Sequence, residues 1–214
     1  MFSDIAKALY RGPVSKLEHI PAIPVQLYKE LNIGTVPAHR AGVTFLTSGT
    51  TGDKRGAHHM HHASLYEHAA ISWARAFTPN LPRTGVHLLL NPQTCPESSL
   101  SHMVDVLCDQ GSSWHLADGR IDTTSFMNAI RAQTTPVFVG ATAFALAQFV
   151  DQQPPGIFPD GTVLMVTGGF KGHSVSVSDQ DLYRIVQERY PNITLITEYG
   201  MTELSSQLWG YPNQ

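Results

Sequence analysis

The sequence predicts an α/β fold, a mostly parallel sheet with helices on both faces. Three observations carry that expectation. Short β-branched and apolar runs recur at 42–46, 85–90, 112–116, 136–140, 161–168 and 192–197. Helix-compatible stretches lie between them, at 61–77, 98–110, 123–133, 141–151 and 178–190. The strand runs are continuously apolar with little alternation, the pattern of strands buried on both faces.

Taken in order, residues 3–10 place Ile5, Leu9 and Tyr10 at helical spacing behind Ser3 as a cap. Pro21 and Pro24 then forbid a regular helix until about Val25. From "GVTFL" onward strand and helix alternate, which argues for βαβ units. The segment "DQQPPGIFPDG" (151–161) is turn-rich and reads as a surface connection. The expected division is an entry segment, 1–40, and an α/β domain, 41–214.

Bulk composition removes several functions. Fourteen Lys and Arg against seventeen Asp and Glu give a net charge of −3, with no basic excess for a nucleic acid. Only 14% of residues are charged, below the roughly 25% of an average soluble domain, so the surface expects a partner. The two cysteines, Cys95 and Cys108, have no metal-ligand spacing. The N-terminus carries charges in its first turns, unlike a signal peptide, and no apolar run reaches the ~20 residues of a membrane span. A cytoplasmic protein is expected.

One stretch stands out. In "TFLTSGTTGDKRGAHH" (44–59) an apolar strand run enters Thr47, Ser48, Gly49, Thr50, Thr51 and Gly52, followed by Lys54 and Arg55. Loops at the carboxyl ends of parallel strands are where ligands bind. Glycines that tolerate positive φ let successive N–H groups turn inward, and such a nest with added hydroxyls and cations suits a polyphosphate. A Walker loop is excluded, because Asp53 separates Gly52 from Lys54 and Arg55 stands where that pattern needs Ser or Thr.

"LTSGTTGDKRG" resembles the phosphate-binding signature of the adenylate-forming ligases, [ST]-S-G-[ST]-T-G-x-P-K-G. "EYGMTE" (198–203) resembles their Y-G-x-T-E signature and follows in the required order. "IPAIPVQLYKE" and "VTGGFKGHSVSVSDQDLYRIV" resemble the acyl-protein synthetase (LuxE-type) branch. The likeness covers roughly residues 18–209 and implies the N-terminal portion of such a ligase, with 41–214 its nucleotide-binding domain. Members join a carboxylate to ATP, giving an acyl-adenylate and pyrophosphate.

The resemblance implies roles for particular residues. Thr47 to Gly52 would hold the β- and γ-phosphates, with Lys54 as counter-charge. Gly168 and Gly169 would let backbone approach the adenine, and Tyr199, followed by Gly200, would lie against its ring. Thr202 would donate to the α-phosphate, and Glu203 would hold Mg²⁺. Its implied partners are a fatty or aryl acid, and an acceptor protein or coenzyme A. Each role has a competing structural reading: Tyr199 as a half-buried aromatic, Glu203 as the cap of a helix over "ELSSQLW", the two glycines as a strand-end turn. Lys171 reads as a solvated loop lysine.

The histidines at 58, 59, 61, 62 and 68 include a pair, His58 and His62, that would be i, i+4 on a helix. A metal site there lacks a nearby carboxylate or cysteine, and a solvent-facing cluster is expected. Cys95 falls in a loop after a strand, and Cys108 on an amphipathic helix reads as core. Leu90, Phe138 and Phe144 would line an acyl pocket or belong to the core. Family members continue more than a hundred residues past Y-G-x-T-E, into the segment that completes adenylation, whereas this sequence ends eleven residues after Glu203. A complementing C-terminal domain or subunit, or a homo-oligomer, is expected, as is the alternative of a nucleotide- or acyl-adenylate-binding subunit without catalysis.

Overall fold

The computed structural model describes residues 15–20, 22–34, 36–48, 55–152, 155–169 and 178–212. The sequence-expected helix at 3–10, residues 49–54 of the phosphate loop and Lys171 lie outside them. A helical turn, α1 (Leu27–Glu30), follows the prolines as expected. Then come β1 (Val43–Leu46), β2 (Ala57–Met60), α2 (Ser64–Phe77), β3 (Gly85–Leu90), α3 (Ser99–Leu107) and β4 (Ser112–Ala117). β5 (Arg120–Ile121), α4 (Thr123–Arg131), β6 (Phe138–Thr142), α5 (Ala143–Gln152), β7 (Val163–Thr167), α6 (Asp179–Arg189), β8 (Thr194–Gly200) and β9 (Gln207–Gly210) complete the order.

The main sheet runs β5-β4-β3-β6-β7-β8-β9. Its five inner strands are parallel, and both edge strands pair antiparallel. Residues on the two faces build two separate cores. On one face Phe126, Ile130, Leu146, Phe149, Leu182 and Val186, from α4, α5 and α6, pack on Leu88, Val139 and Leu164. On the other, Tyr66, Ala70, Met103 and Leu107, from α2 and α3, together with Phe45 of β1, pack on Phe138, Met165 and Ile196. This is the α/β class that the alternating runs predict.

The helices start where their sequences supply caps. The hydroxyl of Ser98 accepts from the Ser101 N–H, the carboxylate of Asp122 from Ser125, and the hydroxyl of Ser178 from Asp181. Each satisfies an N–H that the first helical turn leaves unpaired, worth about 1 kcal/mol.

Four expectations are corrected. First, β1 is not a strand of the parallel sheet; it pairs antiparallel with β2, Val43 opposite Met60 through Leu46 opposite Ala57, as a separate two-stranded ribbon. Second, the histidine-rich approach to α2 is that partner strand, so His58 and His62 are not helical neighbours. Third, "ELSSQLW" forms no α-helix for Glu203 to cap: a 3₁₀ turn, Thr202–Leu204, leads into β9. Fourth, the connection around 151–161 is not purely surface. Phe158 is buried and meets Phe126 and Tyr190 edge-on, with centroids 6.4 and 4.9 Å away.

Two buried groups read as structure. Cys108 is core, as expected, and burial pushes its thiol up to about 12. His87 is wholly buried in β3; it accepts the Gly140 N–H at Nδ1, 3.0 Å, and burial pushes its pKa down to about 3. Phe138 belongs to the core.

Candidate functional site

The order of strands fixes where a ligand can enter. From β3 the chain crosses by α3 on one face to β4; from β6 it crosses by α5 on the opposite face to β7. The direction of strand addition therefore reverses between the neighbours β3 and β6. Loops leaving their carboxyl ends diverge to opposite faces and open a crevice there.

The β1–β2 hairpin is anchored at that crevice. The Leu46 N–H donates to the carbonyl of Glu97, in the loop leaving β3, at 2.9 Å. Arg55 closes the hairpin neck: Nε donates to the Thr47 carbonyl at 2.6 Å, one terminal nitrogen to the Leu46 carbonyl at 3.2 Å, and the other reaches the Glu97 carboxylate at 3.4 Å. Thr47 holds the neck from the other side. Its N–H donates to the Gly56 carbonyl and its hydroxyl accepts the Gly56 N–H, each at 2.9 Å. Ser48 follows, exposed. Of the expected phosphate loop, Thr47 and Ser48 are thus placed at the mouth of the hairpin, while Gly49, Thr50, Thr51, Gly52 and Lys54 lie outside the described residues. The segment joins two antiparallel strands rather than a strand and a helix.

The second signature leaves the sheet at β7 and β8. Thr167 pairs with Glu198 on the last rung, so Gly168 and Tyr199 leave adjacent strand ends side by side. Gly168 has φ +70° with no atom within 4 Å of where a Cβ would sit, a conformation suited to glycine and an open approach. At Gly169 a Cβ would lie 3.1 Å from the Asp179 carboxylate. Tyr199 is 58% exposed, with its neighbour across the ladder, Leu208, 64% exposed. Strand alternation turns Glu198 to the opposite face, where it is 8% exposed and accepts from the Thr167 hydroxyl at 2.5 Å. Burial raises its pKa.

The 3₁₀ turn after Gly200 joins the two halves. The hydroxyls of Thr202 and Ser99 hydrogen-bond at 3.1 Å, and Ser99 opens the helix that begins two residues after Glu97. His58 of β2 hydrogen-bonds the Ser205 hydroxyl through Nε2 at 2.9 Å, and Ser205 sits in the left-handed region at φ 52°. The Tyr199–Glu203 segment is therefore tied to the start of α3 by Thr202, and the turn just after it to hairpin strand β2 by Ser205. Burial lowers the His58 pKa, partly opposed by the charge of Glu203, so the imidazole is neutral at pH 7. Its Nδ1 is buried without a partner. Tyr28 is raised by burial and then by Glu203. Glu203 itself forms no ion pair with a described residue. Among the described residues no group of three or more His, Cys, Asp or Glu is arranged to hold a metal.

Glu97, Ser99 and Glu198 are site residues with no place in the sequence reading, in which Arg55 is only a cation of the loop and His58 only a member of the histidine cluster. A signal existed for Arg55: counted along [ST]-S-G-[ST]-T-G-x-P-K-G, Lys54 takes the proline's place and Arg55 the lysine's. The other four depend on pairing that sequence spacing does not encode.

No family model and no curated protein matches the chain. Solved structures do. ATP-bound MatB from Rhodopseudomonas palustris superposes with a TM-score of 0.56 at 15% identity, over 85% of this chain and 33% of that one. The nonribosomal peptide synthetase FmoA3, in its AMPPNP-bound form, gives 0.55 at 11% identity, over 81% and 18%. PA1221, a nonribosomal peptide synthetase protein containing adenylation and PCP domains, gives 0.53 at 19%, over 93% and 37%. The chain thus spans about a third or less of the first two structures' length, and shares the fold of that part.

Proposed function

We propose that this chain is the nucleotide-binding portion of an ATP-dependent, AMP-forming ligase that activates a carboxylic acid as its acyl-adenylate. The observation that supports it most is the pair of bonds, Thr202–Ser99 and His58–Ser205, that join the second signature to the start of α3 and the turn after it to β2, the strand that follows the first signature. Three structural neighbours of this fold are ATP-bound, AMPPNP-bound or carry an adenylation domain. The acyl-protein synthetase branch rests on the sequence resemblance alone.

In this reading an oxygen of the acid's carboxylate bonds to the α-phosphorus while the bond to the bridging oxygen breaks, and pyrophosphate leaves with that electron pair. Such a reaction needs positioning and charge stabilisation more than covalent help. Thr47, Ser48, Gly49, Thr50, Thr51 and Gly52 would cradle the β- and γ-phosphates, with Lys54 and the anchored Arg55 beside them. The exposed ring of Tyr199 would stack on adenine, since an aromatic face accepts any base. Gly168, Gly169 and Gly200 would keep side chains out of the way. Thr202 would donate to an α-phosphate oxygen. The residues fit Mg²⁺ as far as they are described: Glu203 is a carboxylate without an ion-pair partner, next to a neutral histidine. Mg²⁺ would neutralise charge on the phosphate oxygens. The protein would work in the cytoplasm, with a fatty or aryl acid, an acceptor thiol on a protein or coenzyme A, and a complementing C-terminal domain or subunit.

Isothermal titration with ATP and Mg²⁺, beside Lys54→Ala and Glu203→Ala, tests the reading. Saturable wild-type binding weakened at least tenfold in both variants is expected; equal binding by all three would overturn it. Carboxylate-dependent pyrophosphate exchange separates an enzyme from a binding subunit, which would bind nucleotide and exchange nothing.

A further inference from the structure

Two local irregularities meet at one hydrogen bond outside both signatures. Asp118 and Ser205 are the non-glycine residues with positive φ among the described residues, Ser205 at 52°. An L side chain crowds its own backbone there, so the conformation persists where the surroundings hold it. The Ser205 hydroxyl bonds His58 Nε2 at 2.9 Å, across 147 positions of sequence. His58 is the second irregularity, because its Nδ1 is buried without a partner among the described residues. An unpaired buried nitrogen opposes folding, so packing rather than the ring's own bonding keeps His58 in place. The Tyr28 ring lies beside it, centroids 6.2 Å apart, and the Tyr28 carbonyl oxygen is 3.1 Å from where a Gly56 Cβ would sit. Thus α1 packs on the start of β2 and fixes the imidazole from a second element.

Ser205 stands where it can steer Glu203. It closes the 3₁₀ turn Thr202–Leu204 as its C-cap, and Gln207 opens β9 two residues later. Rotation about the Ser205 φ angle therefore swings the turn relative to the sheet. No residue of the turn is buried, and Leu204 is 48% exposed. Its shape rests on hydrogen bonds rather than on core packing. The Thr202–Ser99 bond fixes one end, the Ser205–His58 bond fixes the other, and Glu203 lies between them. Burial shifts Tyr28 up and His58 down, and the charge of Glu203 raises each, so the carboxylate lies towards this pair.

We infer that His58 positions Glu203 for Mg²⁺, by holding Ser205 in the left-handed conformation that aims the turn. His58 acts through Ser205 and is a positioning residue, not a ligand. This rests on the proposed nucleotide site and adds to it a residue, outside both signatures, that sets how strongly ATP binding depends on the metal. The backbone conformation separates this role from a general contribution to folding. Glycine adopts the left-handed region without steric cost, so Ser205→Gly makes the histidine dispensable. Ser205→Ala loses the hydroxyl and keeps the strain.

The test uses the whole chain and calorimetry with ATP in Mg²⁺, ATP in EDTA, and AMP. His58→Ala should weaken binding of ATP with Mg²⁺ tenfold or more, and leave ATP in EDTA and AMP within threefold. His58→Gln, whose amide can reach Ser205, should stay within threefold of the wild type throughout. Adding Ser205→Gly to His58→Ala should restore binding to within threefold. Adding His58→Ala to Glu203→Ala should cost nothing further, since both act on one contact. Four results overturn the inference while leaving the function standing: His58→Ala within threefold of wild type, equal losses for ATP and AMP, no rescue by glycine, or losses that add to those of Glu203→Ala. Wild-type ATP binding indifferent to Mg²⁺ overturns it as well. Absence of ATP binding by the wild type overturns the function itself. Should His58→Ala fail to fold, Ser205→Ala and Ser205→Gly decide: alanine must lose the Mg²⁺-dependent part and glycine keep it, and the same result for both sinks the inference.

Discussion

Arg55 offers the sharpest perturbation, because the geometry predicts a loss confined to one part of the nucleotide. Its guanidinium bonds two carbonyl oxygens and one carboxylate across the hairpin neck. The Glu97 pair is substantially exposed on both sides, so it contributes about 0.5 kcal/mol at most. The two bonds to carbonyls are charge-assisted but partly solvated, about 1 kcal/mol each. Arg55→Ala thus removes roughly 2 kcal/mol from the closed neck, and the global core, which Arg55 does not touch, keeps its stability. If the closed neck presents the phosphate cradle, 2 kcal/mol corresponds to about 30-fold weaker ATP binding. AMP has no β- or γ-phosphate and should weaken less than about threefold. Arg55→Lys keeps the charge without the fork and should fall between. Calorimetry with ATP and AMP measures all of this. Equal losses for ATP and AMP, or ATP binding within threefold of wild type, would refute the reasoning.

Two further outcomes follow from single residues. Gly168→Ala meets no atom, so its cost is backbone strain at φ +70°, about 1–2 kcal/mol; a fall in Tm of about 2–8 °C is expected, and an unchanged Tm would contradict that conformation. For His87, burial lowers the folded pKa from 6.5 to about 3, so below pH 6.5 the unfolded chain gains a proton that the folded chain refuses. Its contribution is present above 6.5 and lost as pH falls towards 3, by up to about 1.4 kcal/mol per pH unit. Urea unfolding at pH 7 and 5.5 should show that extra slope in the wild type relative to His87→Gln. If the variant does not fold, NMR of the wild type should show the His87 ring unprotonated at pH 5, and a protonated ring would refute it.

Much of the fold was legible because burial on two faces leaves a mark that survives in one dimension. Val137 to Val139 and Val163 to Val166 are apolar at every position, and the observed strands start within two residues of the runs that announce them. The edge strands escaped for the converse reason. β5 has two residues, β2 is histidine-rich, and β9 carries an exposed Leu208 between Gln207 and Trp209. β1 was recognised as a strand but assigned to the wrong sheet. Four residues, "VTFL", of which only Phe45 is fully buried, do not reveal whether a neighbour is parallel or antiparallel.

The candidate site was legible as two signatures and illegible as a place. Nothing in the spacing between the hairpin and Thr202 says that Leu46 and Arg55 meet Glu97 while Thr202 meets Ser99, two residues further on, which is a consequence of strand order reversing at β3 and β6. Glu198 shows the same limit within one signature. It stands beside Tyr199 in the sequence, yet the two-residue period of a strand sends one side chain to solvent and the other into the core. Only the pairing with Thr167 and Trp209 identifies which is which.

The most direct measurement is a crystal structure of the chain with a non-hydrolysable ATP analogue and Mg²⁺. The account predicts adenine against the Tyr199 ring beside Gly168, and the β- and γ-phosphates enclosed by residues 47–52 above the Arg55–Thr47 neck. A nucleotide bound elsewhere, or a triphosphate that leaves the hairpin untouched, would contradict it.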